Sequence, residues 1–147
     1  MLNQDYKEML SLLLEKNVEF VLVGAYAMAA HGFPRATGDM DIFVNPSHEN
    51  ASRVYETLRV FGAPLENISA RDFAVRGIIF QIGVIPRRID IITHIDGVSF
   101  DEASKEKNVI QIDGLAVPVL SKECLIKNKE ATGRAKDKVD ADFLKTQ

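Results

Sequence analysis

Apolar positions over residues 6–14 recur at the spacing of one helical face, with Tyr6, Met9, Leu10, Leu13 and Leu14 in the stripe. Asn3 stands where a cap would open that helix, and Asn17 where it would stop. The period then changes. Phe20, Val21, Leu22 and Val23 form a short continuous apolar run, read as a buried strand that Gly24 ends. The small residues over 25–30 predict a helix packed tightly on the sheet, broken by Gly32 and Pro34. Ile42, Phe43 and Val44 carry the next strand, entered through Thr37 and Gly38. Ser47 is placed to cap a third helix, with Ala51, Val54, Tyr55, Leu58 and Phe61 along one side and Gly62 and Pro64 closing it.

Residues 68–74 read as a loop with a short helical turn. Ile78, Phe80 and Ile82 alternate as on a half-buried strand, and a turn over 83–86 leads into Ile89, Ile91 and Ile92. This pair reads as an antiparallel hairpin. A second hairpin joins 109–112 to 115–119 across Asp113-Gly114, a dipeptide suited to the positive backbone angles of a two-residue turn. Ser121 caps a helix to residue 128, and a last helix covers about 134–144. The predicted fold class is α/β (α+β): a mixed, mostly antiparallel sheet flanked by helices, in one domain over 1–147.

Composition narrows the function classes. At 147 residues the chain suits one domain that buries roughly two-thirds of its unfolded surface. Its formal charge of −3 argues against a general nucleic-acid coat, so any polyanion contact needs a local basic patch or a bound metal. Cys124 is the sole cysteine, so no internal disulfide forms, which fits a reducing cytoplasm. MLNQDYKEML lacks the basic-then-apolar layout of a secretory signal, and no apolar run approaches the ~20 residues of a membrane span. The expected setting is cytoplasmic, without a membrane partner.

Candidate chemistry concentrates in carboxylates. Asp39 and Asp41 lie two apart on a strand and therefore on one face. Side by side they repel and raise one another's pKa, a problem that a divalent cation with a taste for hard oxygen removes. Asp90 is a third acidic residue within an apolar strand, where charge is costly unless paired or coordinated. The three together suggest a metal site on adjacent strands. Asp-X-Asp by itself also caps helices and shapes turns, and Asp90 reads equally as an edge-strand residue paired with Arg87 or Arg88. Gly24, ending a strand and opening a small-residue helix, offers backbone N–H groups of the kind that hold phosphate.

In this order, Val23-Gly24-Ala25, Asp39-Met40-Asp41 and Asp90 resemble the nucleotidyltransferase superfamily, which includes DNA polymerase beta and kanamycin nucleotidyltransferase. The block over 20–44, with Arg35, Thr37 and Gly38, is similar to small prokaryotic members grouped with abortive-infection and toxin–antitoxin nucleotidyltransferases. So is the tail, with Leu125-Ile126-Lys127 and Gly133-Arg134-Ala135-Lys136-Asp137. The resemblance implies a nucleotidyltransferase-like fold and transfer of a nucleoside monophosphate from an NTP to a hydroxyl on RNA, protein or a small molecule. It implies Mg2+ or Mn2+ at Asp39, Asp41 and Asp90, which would also be the catalytic residues. Gly24, Ala25, Arg35, Thr37, Arg134 and Lys136 would hold the nucleotide. An antitoxin-like partner protein would accompany a toxin role.

The family's turn usually carries a second glycine or a serine where Ala25 stands, which removes a hydroxyl and some backbone freedom. An inactive scaffold that binds nucleotide or a partner protein is therefore the rival reading. Arg35 divides between a phosphate clamp and an ion pair with a nearby aspartate. Lys127, Lys129 and Lys138 read as a solvated helix face, and Asp137 and Asp140 as ion-pair partners that fix the last helix. His31 reads as a helix C-cap, Cys124 as packed, and Tyr26 as core or a base-stacking surface. His48 and His94 lack zinc-ligand spacing.

Overall fold

A computed structural model describes residues 2–34 and 36–146. The first helix, α1 (Gln4–Glu15), is capped as expected: the Asn3 side chain accepts from the Tyr6 N–H at 2.9 Å. Tyr6, Met9, Leu10 and Leu13 of its stripe are buried. Asn17 ends the turn with a positive φ of 57°. Strand β1 (Phe20–Val23) is buried along its whole length and passes directly into α2 (Gly24–Ala30). β2 (Asp39–Val44) and α3 (His48–Phe61) follow, the latter capped by Ser47 and closed by Gly62 in the left-handed region. A single 3-10 turn, Ala70–Ala74, occupies the segment read as a loop with a helical turn.

β3 (Ile79–Ile82) and β4 (Arg88–Ile92) form the first hairpin. Helix α4 (Phe100–Glu106), absent from the sequence reading, precedes the second, β5 (Asn108–Ile112) and β6 (Leu115–Val119). At its turn Asp113 and Gly114 have φ of 49° and 84°, the angles that the dipeptide predicts. α5 (Lys122–Ala131) runs about one turn further than expected, and α6 (Ala135–Lys145) ends the described chain.

The six described strands form one mixed sheet in the order β3-β4-β2-β1-β6-β5. Pairings β3–β4, β2–β1 and β6–β5 are antiparallel, while β4–β2 and β1–β6 are parallel. β4 is thus internal, not an edge. Alternation turns Met40, Ile42 and Val44 to one face of β2, all fully buried, and Asp39, Asp41 and Phe43 to the other. Phe43 meets Phe100 edge to face at 5.2 Å, so α4 covers the far end of the carboxylate face. No helix among the described residues is long and apolar enough to cross a membrane.

Candidate functional site

The parallel β2–β4 pairing sets Asp39 beside Arg88 and Asp41 beside Asp90. Residues two apart on each strand share a face, so Asp39, Asp41, Arg88 and Asp90 emerge together. One oxygen from each of the three aspartates lies within 4.8 Å of the others. Asp90 is buried, and Asp39 and Asp41 are half-buried. Three hard carboxylate oxygens at this separation suit Mg2+ or Mn2+ better than zinc, which favours nitrogen and sulfur.

The charges are unevenly met. Arg88 donates from Nη2 to Asp39 Oδ2 at 2.8 Å and from Nε to Asp90 Oδ1 at 2.9 Å, with a third contact to Asp90 Oδ2 at 3.2 Å. The Arg88 pairing weighed for Asp90 is therefore real, but it sits inside the triad, on an internal strand, and includes Asp39 as well. Thr37 Oγ1 donates to Asp39 Oδ1 at 3.0 Å and fixes that carboxylate's rotation. Asp41 faces Asp90 instead, and a hydrogen bond between these two carboxyls favours the protonated form of Asp41. Burial first, then the neighbouring charges of Asp39 and Asp90, push its pKa from 3.8 up to about 7, with Arg88 pulling weakly the other way. The same field reaches Tyr6, whose hydroxyl burial and nearby acids push up to about 12.

Gly24 has a structural reason as well as a chemical one. Its φ is +67°, and a Cβ there would stand 2.6 Å from Asp41 Oδ2. A side chain would evict the carboxylate. Only glycine lets the strand–helix turn pass so close, which ties this turn physically to Asp-X-Asp. The first turn of α2 then presents backbone N–H groups that have no partner inside the helix.

A cleft of about 640 Å³ opens in front of the triad. Gly24, Ala25, Thr37, Asp39, Asp41, Arg134 and Lys136 all line it, although the last two come from the far end of the chain. Arg35 lies outside the described residues. Arg134 is largely exposed, and its Nε donates to Asp137 Oδ2 at 2.7 Å. Burial pushes Asp137 up, yet hydrogen bonds from Thr132 and Arg134 and the charge of Lys129 hold it below the ordinary carboxylate value.

The expected solvated lysine face needs one correction. Lys129 is largely buried and lies 3.3 Å from Asp137 and 3.4 Å from Asp140, joining α5 to α6 on the cleft wall. It turns inward because both acids fold back over it. Asp137 and Asp140 act as the structural anchors that the sequence suggests. His31 caps α2 and its Nε2 lies 2.8 Å from the Leu120 carbonyl. Cys124 is fully buried, and half-buried Tyr26 packs edge-on against Tyr6.

Sequence reasoning missed His94, which lines the cleft and takes Arg76 Nη2 at 3.0 Å on its Nδ1. The signal was available: residue 94 continues the alternation from Asp90 and Ile92 on the same face. Asn128, which donates to the Asp96 carbonyl at 2.9 Å, had no such signal, because it enters from α5.

No protein-family model matches the chain, and no curated protein matches its sequence. Solved structures do match in shape. A candidate nucleotidyltransferase from Thermotoga maritima is 20% identical, with 99% of this chain and 94% of that one covered at a TM-score of 0.59. The antibiotic-resistance factor ANT(2'')-Ia, in complex with adenylyl-2''-tobramycin, is 15% identical over 95% of this chain and 84% of its own, at a TM-score of 0.59. Its solution structure gives 16% identity, 95% and 80% coverage, and a TM-score of 0.61. The chain therefore has a nucleotidyltransferase-like fold.

Proposed function

We propose that this domain is a metal-dependent nucleotidyltransferase that moves a nucleoside monophosphate from an NTP onto a hydroxyl acceptor. The observation that carries the reading is the gathering of Asp39, Asp41 and Asp90 within 4.8 Å, with Asp39 and Asp41 on a cleft that Arg134 and Lys136 also line. Asp41's raised pKa supports it: a carboxylate kept short of positive charge is ready for a cation.

Asp39 and Asp41, with Asp90, would hold Mg2+ or Mn2+, which neutralises phosphate charge and lowers the pKa of an attacking hydroxyl. Thr37 orients Asp39 for that task. Asp90, the most enclosed of the three, is the group to accept the acceptor's proton at a carboxylate oxygen. Backbone N–H groups at Gly24 and Ala25 would hold phosphate oxygens, with Arg134 and Lys136, which line the same cleft, as the cations for the triphosphate. Ala25 supplies an N–H without a hydroxyl, so phosphate holding falls more heavily on those two cations.

The acceptor is RNA, a protein side chain or a small molecule. The adenylyl-tobramycin in the ANT(2'')-Ia complex makes a small hydroxylated compound the first to try. The likeness to toxin–antitoxin members adds a protein acceptor, with an antitoxin-like partner restraining the enzyme.

Labelled NTPs with magnesium or manganese, offered to tRNA, total protein and hydroxylated small molecules, test the proposal. Wild type should transfer label and Asp90→Asn should not. Calorimetry should show magnesium–triphosphate binding lost in Asp39→Asn/Asp41→Asn. Equal affinity in that double variant would remove the metal role, and tight nucleotide binding without transfer to any acceptor would favour the scaffold.

A further inference from the structure

Arg88 is the cation nearest the triad, and its position is not that of a surface ion pair. Its guanidinium engages both oxygens of Asp90 and one of Asp39, while Thr37 holds the other oxygen of Asp39. Two of the three carboxylates are thus already bonded through both oxygens. Asp41 is left facing other acids.

The backbone beneath Arg88 is pinned. The single Tyr6 O–H is shared between the Arg88 carbonyl at 3.0 Å and that of Pro86 at 3.3 Å, and the Arg88 N–H donates to the Gly38 carbonyl at 3.2 Å. The side chain is a quarter exposed, so any movement falls to the guanidinium, which has an open path to water.

We propose that Arg88 is a resident counter-cation that a second divalent ion must displace, so that it limits the triad to one ion until a triphosphate arrives. The inference rests on the reading of Asp39, Asp41 and Asp90 as a metal site. Its logic is charge and occupancy. With all three carboxylates ionised, as a bound cation requires, they and one guanidinium carry a formal −2, which one divalent ion on Asp41 and the spare lone pairs of Asp39 neutralises. A second ion would need Asp90, whose oxygens Arg88 occupies, and would leave the cluster positive. A triphosphate changes both conditions. It brings negative charge, and its oxygens accept the guanidinium fork in place of Asp90. Arg88 thereby passes from enzyme carboxylate to substrate phosphate as the second ion enters.

Mn2+ titrations of the full chain followed by electron paramagnetic resonance count the bound ions without any turnover. Wild type should hold one ion per chain alone and two with a non-hydrolysable triphosphate analogue. Arg88→Met should hold two ions without nucleotide, or bind the first about tenfold tighter, the worth of one charge-assisted hydrogen bond. Arg88→Lys, which keeps the charge, should restore the one-ion count; it also serves should the methionine variant fail to fold. Two ions on nucleotide-free wild type, or a count and affinity unchanged in Arg88→Met, overturn the inference while leaving the metal site standing. No Mn2+ retained by wild type or variant overturns the metal site itself and this inference with it.

Discussion

Asp41 makes the most demanding prediction, because its charge should cost the metal-free fold stability. Its carboxyl is held near pKa 7 in the folded chain against 3.8 ordinarily. Below pH 3.8 folded and unfolded chains both keep the proton, and nothing is lost. Between there and about pH 7 the unfolded chain releases the proton while the folded chain retains it, so stability falls as pH rises. Above about pH 7 the loss is complete. At about 1.4 kcal/mol per tenfold change in proton affinity the limit is about 4 kcal/mol, and partial solvent access reduces this to about 2. Asp41→Asn keeps the shape and removes the charge. At about pH 8 the variant should be about 2 kcal/mol more stable than wild type, or about 4–8 °C higher in Tm, and at about pH 4 the two should agree. Urea unfolding across that range, in chelator, measures the difference directly. Magnesium added at about pH 8 should then raise the wild-type midpoint and leave that of Asp41→Asn unchanged. A stability difference that does not vary with pH would refute the electrostatic account.

Two further substitutions probe separate parts of the site. Gly24→Ala places a Cβ 2.6 Å from Asp41 Oδ2 at a φ of +67°. It should lose about 1–2 kcal/mol from backbone strain and bind magnesium at least about tenfold more weakly by calorimetry; wild-type affinity would show that the turn does not position Asp41. Lys129→Met removes the cation that Asp137 and Asp140 share, while Thr132 and Arg134 still bond Asp137, and should lose about 2 kcal/mol at neutral pH. Asp137's pKa is held below the ordinary value, so its paired state stabilises at neutral pH and is lost as pH falls through that lowered pKa. The penalty in Lys129→Met should therefore shrink in acid, and a penalty equally large there would remove the ion-pair explanation.

Much of the framework was legible because local chemistry repeats it. Caps at Asn3, Ser47 and Ser121, the Asp113-Gly114 turn and the alternation in β3 and β4 each announce themselves within a few residues. The same-face placement of Asp39 and Asp41 needs only the strand period. Their meeting with Asp90 depends on which strands become neighbours; three acids on two apolar strands suggested adjacency, and the likeness to a known family supported it. Helix α4 was missed because it is seven residues long with only Phe100 and Ala103 buried, too short for a stripe, though Ser99 does cap it. Lys129 was misread since its partners lie on the next helix, beyond the reach of any helical spacing. Arg88 was weighed against Asp90 from sequence proximity, but its bond to Asp39 crosses 49 residues.

The pairing of Asp41 with Asp90 has a consequence for how this protein can vary. Ile89 and Ile91 sink into the interior from the same strand that turns Arg88 and Asp90 to the face of Asp39 and Asp41. Sliding β4 by a single position would turn the acid into the apolar core and the isoleucines toward the other carboxylates. A one-residue insertion inside that strand therefore cannot be a quiet, purely functional lesion, since it would unmake the interior too. Gains and losses of length should be better tolerated at the solvent-facing residues 83–85, ahead of the Pro86 carbonyl that Tyr6 holds.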